Sequence, residues 1–245
     1  RLLLEVYAKW GVSYISFFNK PNLRSFWEAA NWTKADLVER FLDIYLPLAE
    51  LCLECDLIPI FPPLEPGGDY WDTIFLKASL QGIKRRGHSK LLKEMVIGAI
   101  ARTNGQPINW GLGGPERWPD AIPYRKSQKG EDHLGFRIYD WYQAVIQSCL
   151  IKPRPIFLFE VSASPKVNEA TDTQTQDTMS IAQILAGEPI PNLAPLPKEI
   201  IGAGFWLLAD SGAGQNSSLA WFKSDGSHLP IVDFIQSWST KGNKK

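Results

Sequence analysis

Five times along the chain a short β-rich run is followed by a turn-rich loop and then by a helical stretch, and this alternation restricts the fold more than any other feature. The runs are residues 12–18, 57–61, 108–112, 155–159 and 202–208. Short apolar strands separated by helices belong to a parallel sheet buried on both faces. Helices are predicted at 2–10, 33–55, 73–85, 89–103, 135–149, 179–186 and 231–238, most clearly where apolar residues recur at three- and four-residue spacing. In the second, Leu37, Phe41, Ile44, Leu48 and Leu51 form the stripe, Thr33 is the expected N-cap and Pro47 predicts a kink. Residues 162–178 are polar and read as a loop.

Two architectures fit such a pattern, a doubly wound open sheet and a (β/α) barrel. No strand is followed by a GxGxxG or GxxxxGK[ST] turn, which removes the usual cue for the first. Carboxylates, Asn, Trp and Tyr decorate the strand ends instead, and the face at the strand C termini is where barrel chemistry sits. The expected fold is therefore α/β, of the (β/α)8 TIM-barrel type with about five strand–helix units present. It forms one domain over residues 1–240, before a basic tail at 241–245 expected to be disordered. The chain opens at Arg1 within an amphipathic segment that reads as a helix already under way, so the fold is expected to start part-way through a longer barrel. Those first residues do not follow a secretion-signal pattern, and localisation is not read from them.

With 26 Lys and Arg against 26 Asp and Glu, the surface has no net charge to hold nucleic acid or anionic lipid. No apolar run reaches the ~18–20 residues of a membrane span. Three cysteines make no disulfide framework, and Cys52 and Cys55 lack a second pair that would suggest zinc. His88, His133 and His228 have no ligand spacing, so neither metal nor cofactor is expected. Ser162 and Ser164 lack the His and Asp of a serine hydrolase.

The distinctive number is aromatic: ten Trp, seven Tyr and twelve Phe. A pyranose ring packs its C–H face on an aromatic plane while its hydroxyls need polar partners, so loops mixing Trp with Asp and Asn suit a carbohydrate. Tyr70, Trp71, Trp110, Trp118, Tyr124 and Trp206 are the candidates, with Asp69 and Asp72 beside them. Trp10, Trp141 and Trp238 are expected in the core.

Residues 17–22, Phe-Phe-Asn-Lys-Pro-Asn, resemble the Asn-Glu-Pro turn that closes the fourth strand of the retaining (β/α)8 glycoside hydrolases. Counting onward, Glu160 falls at the tip of the seventh strand, where that clan carries its nucleophile, and Trp206 on the eighth, where a sugar-stacking Trp is common. The loops at 67–72 and 110–119 resemble those of a bacterial branch of cellulase-like barrel proteins. The resemblance runs from the third helix to the eighth. It implies units four to eight of the barrel, truncation before the fourth strand, and a polysaccharide or oligosaccharide held at the strand C-terminal face, with Asn19 among its contacts.

The departure is Lys20, which stands where the clan has its acid/base Glu. A Lys, with an ordinary pKa of about 10.4, is a poor acid at neutral pH, and an ion pair with Glu160 would neutralise the nucleophile. Double displacement is thus expected to be impaired. Asp69, Asp72 or Glu116 could supply the missing acid, Glu116 first because a Gly-Gly-Pro turn precedes it; a salt bridge with Arg117 would argue otherwise. Three readings follow: a hydrolase, a catalytically silent glycan-binding barrel, and a partial barrel that self-associates through exposed strand edges. Lys20, Glu160 and Trp206 should converge at one mouth, with Asp69 and Glu116 beside them.

Overall fold

A computed structural model describes residues 1–122, 130–150, 152–164, 171–210 and 219–242. Five strands, β1 (Tyr14–Ser16), β2 (Ile58–Phe61), β3 (Val96–Arg102), β4 (Ile156–Ser162) and β5 (Ile200–Phe205), form one sheet in chain order. Every neighbouring pair is parallel, and the sheet curls into a half-barrel. The intervening helices are α1 (Leu2–Lys9), α2 (Ala29–Trp32), α3 (Leu37–Glu54), α4 (Asp72–Arg85), α5 (Ser89–Glu94), α6 (Gly114–Arg117), α7 (Ile138–Cys149), α8 (Thr171–Leu185) and α9 (Pro230–Gly242).

Alternation along the strands gives the sheet two unlike faces. Phe61, Ile97, Ala99, Ala101, Ile156, Leu158 and Val161 face the helices and join the main core. There Phe41 of α3 is the hub: its ring centroid lies 5.5 Å from Tyr45, 5.9 Å from Phe61 and 5.3 Å from Phe75. Register pairs Ile60 with Val96, Gly98 with Phe157 and Ile100 with Phe159 on the other, concave face. Phe157 and Phe159 are only half-buried there.

The third strand differs from the expectation. It is Val96–Arg102, not residues 108–112. A short buried strand and the end of a buried helix share an apolar composition, and periodicity alone does not separate them. Helix α5 ends at Glu94, Met95 turns extended, and the chain enters the sheet. Residues 108–112 are turns instead, with Trp110 N donating to Pro107 O at 2.8 Å and Leu112 N to Asn109 O at 3.0 Å. Other differences are smaller. Helix α3 starts at Leu37 behind Asp36, which sits in the left-handed region, so Thr33 is not its cap. Part of the expected loop at 162–178 belongs to α8. Helix α9 runs to Gly242, into the expected tail, and 243–245 lie outside the described residues.

Trp141 is buried as expected, and Trp238 is partly buried with its indole N–H on Glu188. Trp10 is not in the core: it is 73% exposed. Helix α1 flanks β1, which pairs with β2 alone among the described strands.

Removing the hub side chain should show how far the sheet relies on the α3–α4 layer. Phe41→Ala is expected to cost about 3–5 kcal/mol, read as a lower urea midpoint with an unchanged slope.

Candidate functional site

The loops that leave β1 and β2 and the ends of β3 and β4 bring four charged side chains together. Lys20 follows β1, Glu65 follows β2, Arg102 ends β3 and Glu160 lies within β4. The Lys20 ammonium Nζ is 3.0 Å from Glu160 Oε1 and 3.1 Å from Glu65 Oε2. The Arg102 guanidinium grips Glu65 through both terminal nitrogens, at 2.8 and 3.2 Å, and also donates to Glu160 Oε2. Each cation touches both carboxylates, and the four charges close into a ring.

The backbone is arranged to aim these groups. Glu160 has φ 49 and Lys20 φ 55, in the left-handed region that non-glycine residues seldom adopt. The pairing register skips between Leu158 and Val161 on one side of β4 and between Ile100 and Arg102 on the other. Glu160 is thus the extra residue of a bulge, a device that re-aims a side chain. Lys20 is held by its own N–H, which donates to Pro63 O at 2.9 Å. Asn22, fully buried, then staples the two loops: its amide donates to Glu65 O (2.8 Å) and Tyr70 O (2.9 Å) and accepts from Glu65 N (2.9 Å).

Burial pushes the Glu160 carboxyl up, but Arg102 and Lys20 outweigh it and hold the group below its ordinary value. Burial likewise works against the Arg102 charge, and the two carboxylates more than restore it. Beside the ring lies a cavity of about 480 Å³ lined by Ser16, Phe18, Asn19, Phe159, Glu160 and Trp206. Trp206 N donates to Val161 O at 2.9 Å, which carries the indole to this wall just past β5.

Lys20, Glu160 and Trp206 therefore meet, together with Asn19. Asp69 is near in the β2 loop, exposed, with Oδ2 accepting from Arg24 N at 2.8 Å. Asp72 is fully buried and unavailable to a ligand. Its carboxylate accepts from Gly67 N (3.0 Å), Tyr142 OH (3.0 Å) and His133 Nε2 (3.2 Å), tying the β2 loop to α7. Burial pulls His133 down, and Asp72 and Asp132 more than offset this, raising it above its ordinary value.

Glu116 is not beside Glu160. It lies exposed on α6 in a second groove with Pro153, Pro197 and Glu199, at the strands' N-terminal end. The reason is the displaced third strand: the Gly-Gly-Pro turn does not follow a strand end. Trp71 is half-buried at the start of α4. Trp110 donates its indole N–H to Asp132 at 2.9 Å. Trp118 donates to Leu112 O, with the Arg117 guanidinium 5.3 Å over its ring. Tyr124 lies outside the described residues. The sequence reading missed Glu65, Arg102 and Asn22. Arg102 was hidden by the misplaced strand, whereas Glu65, four residues past a strand end, carried the same positional signal as Glu160.

Among solved structures, the chain is similar to an endo-β-1,3-glucanase of family GH128 (subgroup II) from Sorangium cellulosum. The TM-score is 0.50 at 14% identity, over 91% of this chain and 68% of that one. It is also similar to the GH39 enzyme from Xanthomonas axonopodis pv. citri, with TM-score 0.50 and 14% identity over 94% of this chain and 43% of that one. The fold is glycoside-hydrolase-like. No family model and no curated protein sequence matches the chain. At such identity the likeness is one of fold, and the site must be read from its own atoms.

The charge ring makes a direct titration test. The Glu160 carboxyl is expected to titrate below its ordinary 4.5, and Arg102→Met should move the midpoint upward, followed by carbon-detected NMR of the side chain. Because the folded value is depressed, the stability from this group is present above the unfolded pKa and is lost as pH falls through the folded one.

Proposed function

We propose that the chain is a polysaccharide-binding barrel built on units four to eight of a retaining, cellulase-like glycoside hydrolase, with its catalytic pair converted into an ion pair. Glu160 occupies the nucleophile position and Lys20 the acid/base position. One observation carries the reading: both oxygens of Glu160 are engaged, by Lys20 at 3.0 Å and by Arg102. Retaining hydrolysis needs a carboxylic acid to protonate the leaving oxygen and a carboxylate ~5–5.5 Å away to attack the sugar. Lys20 places an ammonium where both steps of that mechanism use a carboxyl group.

The binding half of the chemistry is supported by what remains. Phe18, Phe159 and Trp206 offer apolar planes for a sugar's C–H face, while Asn19 and Ser16 offer hydrogen bonds. A solved neighbour named as an endo-β-1,3-glucanase makes β-1,3-glucan the first ligand to try.

The parent chain is expected to bind laminarihexaose without releasing reducing ends. Lys20→Glu should gain reducing-sugar release of about 10²–10⁴-fold over the parent, the worth of a general acid–base, and lose it again with Glu160→Gln. Turnover by the parent that survives Glu160→Gln would refute this mechanism. An absence of binding in every variant would refute the glycan reading itself.

A second reading, self-association through the sheet edges, is favoured by exposed apolar residues at both ends of the sheet. Leu2, Leu3 and Trp10 are 81%, 62% and 73% exposed beside β1, and Ile201 and Leu208 are 42% and 61% exposed at β5. It predicts a sedimentation coefficient that rises with concentration and a Trp10→Asp variant that stays monomeric. A concentration-independent monomer would dismiss it.

A further inference from the structure

Glu65 has no counterpart in the two-carboxylate pattern, yet it closes the charge ring. Without it, Lys20 and Arg102 would face Glu160 alone, and the ring, which reaches the cavity wall through Glu160, would carry one net positive charge. With it, the four side chains sum to zero. They are 10–23% exposed, so salt screens them far less than surface charges. Every cationic group of the ring already has two carboxylate partners within 3.2 Å.

We infer that Glu65 is a specificity-determining residue: by balancing Lys20 and Arg102 it makes this cavity select uncharged sugars over carboxylated ones. The inference rests on the reading that this face receives a glycan. A uronate entering the cavity would be a third anion among two satisfied cations, and would give up hydration with no unpaired charge to meet it. An uncharged sugar loses nothing of this kind. Discrimination then comes from a built-in repulsive element rather than from an added contact. Glu65 is well placed for that role because its backbone is locked on both sides by the buried Asn22 amide, at 2.8 and 2.9 Å.

Ligand-observed NMR titrations with sodium glucuronate, against sodium chloride at equal ionic strength, and with laminaritriose test this. Glu65→Gln keeps the size of the side chain and an acceptor for Arg102, and leaves a net charge of about +1 on the ring. It is expected to bind glucuronate at least about tenfold more tightly than the parent, a gain of ~1.4 kcal/mol. The gain should vanish in the double variant Glu65→Gln/Lys20→Met, which is neutral again. Lys20→Met alone reverses the sign and should bind protonated glucosamine about tenfold more tightly than the parent.

No gain for glucuronate in a folded Glu65→Gln, or a gain that persists in the double variant, overturns the inference. If Glu65→Gln does not fold, as judged by its melting curve, the absence of a glucosamine gain in Lys20→Met overturns it instead. A parent that ignores laminaritriose while Glu65→Gln gains glucuronate would refute the glycan reading and leave the charge-balancing role standing.

Discussion

A parallel sheet cannot be joined by hairpins; each strand must return through a crossover, and helices supply it. That constraint organises the rest of this chain. Helices α3, α4 and α7 pack on the convex face through Phe41, Phe75, Leu80 and Tyr142. All five strands point the same way, so every loop leaving a strand C terminus opens on one side. Residues far apart in sequence, from Lys20 to Trp206, become neighbours there without any local preference for one another.

The charge ring depends on this placement and on two residues held away from ordinary backbone geometry. Left-handed conformations at Lys20 and Glu160 cost on the order of 1–3 kcal/mol each and persist only where surroundings over-determine them. Here the bulge in β4 and the Lys20 N–H bond to Pro63 do so, with Asn22 and Asp72 fastening the β2 loop from either side. Strain of this kind collects at functional sites. The fold holds these four charged groups in one fixed arrangement at the strand C-terminal face.

Much of the candidate site was legible because strand ends mark function in this architecture. Glu160 follows four apolar residues, and Lys20 sits in a Pro–Asn turn; both stand out in one dimension. Arg102 does not. Its strand reads equally well as a helix end, because Val, Ile and Ala serve both, and only pairing with β2 and β4 separates the two. Placing the strand ten residues late also sent Glu116 to the wrong end of the sheet. The acidic loop residues show the same limit: Asp69 and Asp72 are three apart, yet one is exposed and the other buried under Tyr142 and His133, which arrive from α7 and the loop before it.

What the amino-acid order determined alone was the class of fold and the placing of Lys20 and Glu160 near strand ends, since both follow from the period of apolar residues and from turn-forming residues at strand ends. Tertiary structure decided which charges those side chains meet. Whether Glu160 is an unpaired or a partnered carboxylate depends on Lys20, Arg102 and Glu65, which lie 140, 58 and 95 residues from it along the chain. Coulomb interactions act over ångströms in space, and nothing in the local sequence around Glu160 encodes which charges the sheet will bring within reach.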